Sequence, residues 1–122
     1  MRTQRQILGS AGENLAEGHY ISRGGLIRHR NISYPCGEID LIVEEADGTV
    51  VFVEVKTRRG IEFGTAEAVT GAKMRRLPRA AARWLEHKPF MAVRFDVLVV
   101  TVDRHTGEPL IDAYEGVEHG AR

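Results

Sequence analysis

The chain has 122 residues, 43% of them hydrophobic and 28% charged, with 17 basic and 17 acidic side chains. This length and composition predict a single soluble domain over residues 1–122, with its core at about 9–115 and flexible termini. No run of 18 apolar residues and no apolar leader occurs, so we expect no membrane span, no secretory signal and no membrane partner. A single cysteine, Cys36, agrees with a reducing, cytoplasmic location.

The hydrophobic pattern predicts an α/β fold. Ser10 and a Gly-Gly pair at 24–25 predict the bounds of a first helix. The later predicted elements are a strand at 26–32, a hairpin of two strands around an Asp-Gly turn at 47–48, a helix from about 65 or 70 to 87, and strands at 93–102 and 110–114. Pro78 lies within the long helix and predicts a kink, or a break into two shorter helices.

Two strings carry most of the charge of the predicted hairpin, GEIDLI at 37–42 and FVEVKTR at 52–58. Because side chains alternate between the faces of a strand, Glu38 and Asp40 are predicted to share a face, as are Glu54 and Lys56 on the partner strand. The apolar side chains between them are predicted to turn to the opposite face, namely Ile39, Leu41, Val53 and Val55. Such a pair of strands is either half solvated or built around an ion, since buried charges need partners.

Charge is segregated along the chain although its sum is zero. Between Cys36 and Glu54 every charged residue is acidic, whereas Lys and Arg predominate between Lys56 and Arg83. An acidic focus beside a basic stripe suits a site that holds a cation at its centre and a polyanion along its flank. The alternative is that both runs are solvated surface faces, and charge alone slightly favours this alternative.

The hairpin carboxylates fit a Mg²⁺ site for phosphodiester hydrolysis, with Mn²⁺ able to substitute. A hard cation prefers oxygen ligands, and we expect one each from Asp40, Glu54 and the backbone carbonyl of Val55. The Lys56 ammonium shares the face of Glu54, where it can orient the attacking water. An exposed, salt-bridged strand face has the same spacing, but the apolar residues around the motif favour the metal site.

The chain resembles the bacterial YraN family, a group of small restriction-endonuclease-like proteins, over roughly residues 9–102. The resemblance rests on the two hairpin strings, supported by GE at 12–13, RN at 30–31, FG at 63–64, Lys73 and RFDV at 94–97. It implies a PD-(D/E)xK nuclease core, with a mixed central β-sheet flanked by helices, related to archaeal Holliday junction resolvases. Pro78 departs from this pattern, because the helix that contains it is expected to be continuous.

The resemblance also implies roles for individual residues. The metal ligands and the catalytic lysine fall on the same three hairpin residues, Asp40, Glu54 and Lys56. Glu13 of the first helix is expected to face the same centre and to bind water or a second ion. Alternatively, Ser10 and Glu13 form a capping box at the start of that helix. Glu38 is either a second-shell or alternative metal ligand, or a charge at the rim of the hairpin.

Three basic residues are predicted to contact phosphates, namely Arg58, Lys73 and Arg76. Arg58 follows the catalytic lysine on its face, and Lys73 opens the long helix near its positive end. The alternative roles for Arg58 and Lys73 are surface solubility and ion pairs with acidic neighbours such as Glu38 or Glu67. No helix-turn-helix or zinc-finger spacing occurs in the sequence, so we expect contacts to nucleic-acid backbones rather than to bases.

The predicted function is a Mg²⁺-dependent endonuclease that hydrolyses DNA at branched, flapped or single-stranded structures. A homodimer and a protein partner are both open, the former only by analogy with related resolvases. The alternative is a nucleic-acid-binding or adaptor module that keeps the nuclease fold but turns over poorly without a partner. A third hypothesis, a structural protein without nucleic acid, has only the zero net charge in its favour.

Overall fold

The computed structural model describes residues 3–60 and 73–117. In these stretches the chain forms two helices and five strands, in the order α1 (Gln4–Ile21), β1 (Leu26–Tyr34), β2 (Gly37–Glu44), β3 (Val50–Arg59), α2 (Lys73–Leu85), β4 (Val93–Val102) and β5 (Pro109–Tyr114). Neither of these helices combines the length and the apolar character that crossing a bilayer requires.

The five strands form one mixed sheet in the order β1-β2-β3-β4-β5. β1, β2 and β3 pair antiparallel, β3 and β4 pair parallel, and β5 returns antiparallel to β4. The parallel pair requires a crossover connection, and α2 lies within it. The predicted α/β class, with a mixed sheet flanked by helices, is therefore confirmed.

The helices cover opposite faces of the sheet. On one face, Ala16 and Tyr20 of α1 pack with Leu41, Val53 and other buried residues of β2, β3 and β4. On the other face, the apolar side of α2 packs with β2 and β3, in a cluster formed by Ile39, Ile42, Val50, Phe52, Leu77, Ala80, Ala81 and Trp84. β3 is buried on both faces over its first six residues, which explains its nearly continuous apolar sequence.

The alternation predicted for β2 fails at Asp40. Ile39 packs in the cluster under α2, whereas Leu41 packs in the cluster under α1, so the prediction that they share a face is wrong. Two features accompany this change of face. The pairing of β2 with β3 ends at Leu41 and Val53, and Asn31, opposite Asp40 in β1, has a left-handed φ of 52°. Asn tolerates this conformation better than most residues.

Two further predictions for the helices are corrected. α1 begins at an N-cap on Thr3, whose hydroxyl accepts from the Gln6 backbone while the Gln6 side chain accepts from the Thr3 backbone. Ser10 therefore lies inside the helix, and the capping box predicted for Ser10 and Glu13 is wrong. α2 is continuous from Lys73 to Leu85 with Pro78 inside it, so it is not broken into two helices there. Its predicted start at residue 65 or 70 lies outside the described residues.

Candidate functional site

A pocket of about 470 Å³ opens where β2 separates from β3. Its described lining comes from the turn between β1 and β2, from β2 and β3, and from one residue of α2. These residues are Tyr34, Pro35, Cys36, Gly37, Glu38, Asp40, Glu54 and Arg76. Three of the predicted carboxylates, Glu38, Asp40 and Glu54, thus share one pocket, and Arg76 is its single described cation.

Asp40 lies in β2 just beyond the last residue that pairs with β3. Its Oδ2 accepts a hydrogen bond of 2.7 Å from the backbone N–H of Val55. The carboxylate replaces a backbone acceptor just beyond the last β2–β3 pair, Leu41 with Val53. The N–H and C=O of one strand residue point to the same side, so the Val55 carbonyl also faces the gap between the strands. The break in the ladder therefore brings a carboxylate and a carbonyl to the same gap.

Glu54 and Lys56 differ in burial although both lie on β3. Glu54 is only 6% exposed, whereas Lys56 is exposed. Val53 and Val55 pack on the α1 side and Phe52 packs on the α2 side, so Glu54 faces the α2 side, where the pocket lies. Lys56 lies two residues after Glu54 in this regular strand, so both side chains lie on the same face of β3. The structure therefore agrees with a shared face for Glu54 and Lys56, but Lys56 does not reach the described lining of the pocket.

Glu13 belongs to a different set of contacts. Its Oε1 accepts a hydrogen bond of 3.1 Å from Asn31 Nδ2 and lies 3.9 Å from an Arg30 nitrogen. Because Asn31 lies opposite Asp40, Glu13 is near the opening of the sheet, but it is absent from the described lining. Within residues 3–60 and 73–117, no three acidic, His or Cys side chains are placed to hold one ion. The metal role of Glu13 stays a prediction.

The three predicted phosphate contacts have different placements. Arg76 is exposed and lines the pocket. Arg58 lies half-buried near the end of β3, two residues beyond Lys56. Lys73 begins α2, and its side chain lies outside the described part.

Close packing of α2 against the start of β2 sets one wall of the pocket. A Cβ added to Gly37 would lie 2.8 Å from the backbone oxygen of Arg76, which is too close for any other residue. The glycine of the GEIDLI string therefore permits the helix to approach the strand and brings Arg76 to the carboxylates. This is a packing reason for the glycine that the strand pattern alone did not reveal.

Sequence reasoning missed two members of the lining, Tyr34 and Cys36. Both flank Pro35 in the turn from β1 to β2, immediately before the GEIDLI string. That proximity in sequence was the available signal. The Cys36 thiol is free, and the residue is half-buried.

A second polar cluster ties α1, β4 and the end of β2 together away from the pocket. The Asp96 carboxylate is fully buried and accepts hydrogen bonds from the Tyr20 hydroxyl at 2.7 Å, from Arg94 at 2.9 and 3.0 Å, and from the Gly116 backbone at 3.0 Å. Arg94 also donates two hydrogen bonds to the Glu45 carboxylate, at 2.7 and 2.9 Å.

The charges of this cluster explain two pKa shifts. Burial, followed by the nearby Asp96 carboxylate, raises the pKa of Tyr20 well above its usual value. Hydrogen bonds to Asp96 and Glu45 outweigh burial and raise the pKa of Arg94. Tyr20 therefore stays a neutral donor and Arg94 a cation at all ordinary pH values. The pairing of Arg94 with Asp96 is thus structural.

Fold and pocket define an α/β domain with a five-stranded mixed sheet flanked by two helices and an acidic pocket where two strands separate. A family model described as "Uncharacterised protein family UPF0102" matches residues 12–100, and the chain belongs to this family.

Similar proteins carry the same family name. A UPF0102 protein of Corynebacterium efficiens is 55% identical over 122 residues, covering 100% of both chains. A UPF0102 protein of Corynebacterium glutamicum is likewise 55% identical over 122 residues, covering 100% of both. A UPF0102 protein of Frankia casuarinae is 45% identical over 100 residues, which cover 80% of this chain and 84% of the relative.

Proposed function

We propose that this protein is a metal-dependent endonuclease that hydrolyses phosphodiester bonds in DNA. The observation that carries the proposal is the convergence of Asp40 and Glu54, from two strands, on one pocket at the point where those strands separate. Carboxylates that share one pocket repel each other, and a bound divalent cation offsets that repulsion.

The donor set fits Mg²⁺ or Mn²⁺. Mg²⁺ is usually held by one or two carboxylates, and it keeps several waters or takes substrate phosphate oxygens in its remaining positions. Asp40, Glu54 and the Val55 carbonyl provide such a set, with Glu38 nearby in the pocket as an outer partner. When bound, the ion supplies Lewis-acid stabilisation of the negative charge that develops on the phosphate.

The chain's own residues then have separate roles. The hydrogen bond from the Val55 N–H fixes the orientation of the Asp40 carboxylate before any ligand arrives. The burial of Glu54 keeps its carboxylate in a low-dielectric site, where electrostatic interactions are strong. Lys56, two residues along the same face, orients the water that attacks phosphorus, and Arg76 receives a phosphate oxygen on the α2 side.

One observation favours a second candidate function. Lys56 is exposed and lies outside the described lining of the pocket. If Lys56 reaches the pocket only when the protein assembles with a partner, the protein alone would bind nucleic acid as an adaptor and turn over poorly. The partner in that case is another protein or a second copy of this chain.

The test is incubation of the purified protein with labelled duplex, single-stranded, flap and four-way-junction DNA, in Mg²⁺, Mn²⁺ or chelator. The proposal predicts cleavage that chelator abolishes and that Lys56→Ala abolishes without loss of DNA binding. Tight binding without cleavage under any condition favours the adaptor. Absence of both binding and cleavage contradicts both functions.

A further inference from the structure

α2 carries a row of arginines that begins at the pocket. Arg76, Arg79 and Arg83 are all exposed, and their spacing of three and four residues places them along one side of the helix. The core-facing side of the same helix is apolar and buried. Arg76 lines the pocket, so the row leads from the carboxylates outward along the helix.

The length of the row fits a short stretch of one nucleic-acid strand. Seven residues of helix separate Arg76 from Arg83, a rise of about 10 Å. One strand of B-form DNA carries a phosphate roughly every 3.4 Å along its axis, so the row spans about three phosphate spacings in that geometry and fewer in a more extended, unpaired strand. Within the part of the chain that the structure describes, the exposed Arg83 has one acidic partner, the exposed Glu86 at 3.8 Å. Such surface pairs contribute little, and a phosphate can replace this one.

An aromatic ring stands beside this row. Tyr34 lines the pocket, and the guanidinium carbon of Arg83 lies 5.8 Å from the centroid of its ring. Tyr34 is the last residue of β1, where it pairs with Gly37, and Pro35 follows it. The pairing and the proline hold the backbone, so little conformational freedom is lost when a flat ligand stacks on the ring.

We propose that Arg76, Arg79, Arg83 and Tyr34 form a track for an unpaired strand, with phosphates along the arginines and one base stacked on Tyr34. A basic groove combined with an aromatic platform is the usual way in which proteins bind single strands. In an intact duplex the bases are already stacked and must be unpaired before they reach such a ring. The inference rests on the proposed nuclease function and narrows its substrate to DNA with an unpaired nucleotide beside the cleaved bond.

The experiment measures fluorescence anisotropy of a labelled single-stranded oligonucleotide and of the matched duplex, in chelator so that no cleavage occurs. Tyr34→Leu should weaken single-strand binding roughly 5- to 100-fold, with little effect on the duplex, and Tyr34→Phe should bind like the parent. Arg79→Ala should reduce the log–log salt slope for the single strand by about 0.7. Arg23→Ala, which makes the same charge change at the other end of β1, should leave that slope unchanged.

The outcomes separate this track from the nuclease proposal. Metal-dependent cleavage with equal affinity for both DNA forms, and no selective loss in Tyr34→Leu, overturns the track and leaves the nuclease intact. A parent protein that binds neither form in chelator and cleaves neither form in Mg²⁺ or Mn²⁺ overturns both. If melting shows that Tyr34→Leu is unfolded, Arg79→Ala decides, because its exposed side chain is replaced without loss of core packing; an unchanged salt slope then overturns the track.

Discussion

At the scale of single residues, two buried carboxylates, Asp96 and Glu54, have different surroundings. Asp96 is fully buried, and its oxygens accept from three donor residues of the chain. Glu54 is nearly as buried but lines an open pocket with Asp40. The sequence predicted that Asp40 and Glu54 lie near one site, because the two strands of a hairpin are close in sequence. The hydrogen bond from Tyr20 to Asp96 was not predictable, since Tyr20 lies 76 residues away.

The buried network supplies a prediction about stability. Asp96→Asn replaces an acceptor oxygen of a fully buried carboxylate by an NH₂ group. It should cost about 1–3 kcal/mol of unfolding free energy, because one of the donors around position 96 loses its acceptor, while Arg94 keeps Glu45 as a partner. Glu44→Gln, which breaks an ion pair with Arg28 between exposed side chains, should cost less than about 1 kcal/mol. Urea unfolding of both variants and the parent measures the difference, and equal costs for the two changes contradict the assignment.

A second residue-scale prediction concerns pH. Backbone N–H groups of Thr106 and His105 donate to Asp103 and hold its pKa below the usual 3.8. A carboxyl with a lower pKa in the folded state stabilises the fold above the unfolded pKa, and this contribution is lost as the pH falls through the folded pKa. Asp103→Asn should therefore melt below the parent at neutral pH and approach it well below pH 3.8. A gap that does not change with pH refutes the role of the charge.

At the scale of elements, the hydrophobic pattern predicts where a long strand runs, but it does not predict where a strand changes face or where a helix begins. The pattern predicted that β4 runs from 93 to 102, which the structure confirms, because a long buried strand has a continuous apolar sequence. It could not predict that Asp40 lies where β2 changes face, because the accompanying left-handed φ of Asn31, in the neighbouring strand, leaves no signal in the hydrophobic pattern. It also misplaced the start of α1, because Ser10 imitates an N-cap that Thr3 provides.

The packing of α1 on β3 gives the element-scale prediction. A Cβ added to Gly12 would lie 2.0 Å from Oγ1 of Thr57 and 3.0 Å from its Cγ2. Gly12→Ala should therefore cost about 1–3 kcal/mol through overpacking. Adding Thr57→Ala should recover much of that loss, which a double-mutant cycle in urea measures.

The same helix offers a matched control. Gly18 has nothing within 4 Å of an added Cβ. Gly18→Ala should therefore stabilise the protein by up to about 1 kcal/mol through helix propensity. If Gly12→Ala stabilises equally, the close approach of α1 to β3 is wrong.

At the scale of the whole molecule, the site depends on assembly of the complete sheet. β2 and β3 supply the carboxylates, the end of β1 supplies Tyr34, and the crossover helix supplies Arg76. The carboxylates were predictable from two strings of sequence, GEIDLI and FVEVKTR. Tyr34 and the approach of α2 to Gly37 depend on how distant elements pack, and strand or helix periodicity carries no information on that packing.

The central claim is that Asp40 and Glu54 hold a divalent cation, and calorimetric titration with Mn²⁺ and Mg²⁺ tests it most directly. The parent should bind the ion, whereas Asp40→Asn and Glu54→Gln should each weaken binding at least about tenfold, as expected when a ligand's charge is lost. Both variants should stay folded, and removal of one charge from the acidic pocket should leave the melting temperature of the metal-free protein equal or higher. Unchanged metal affinity in both folded variants would contradict the account.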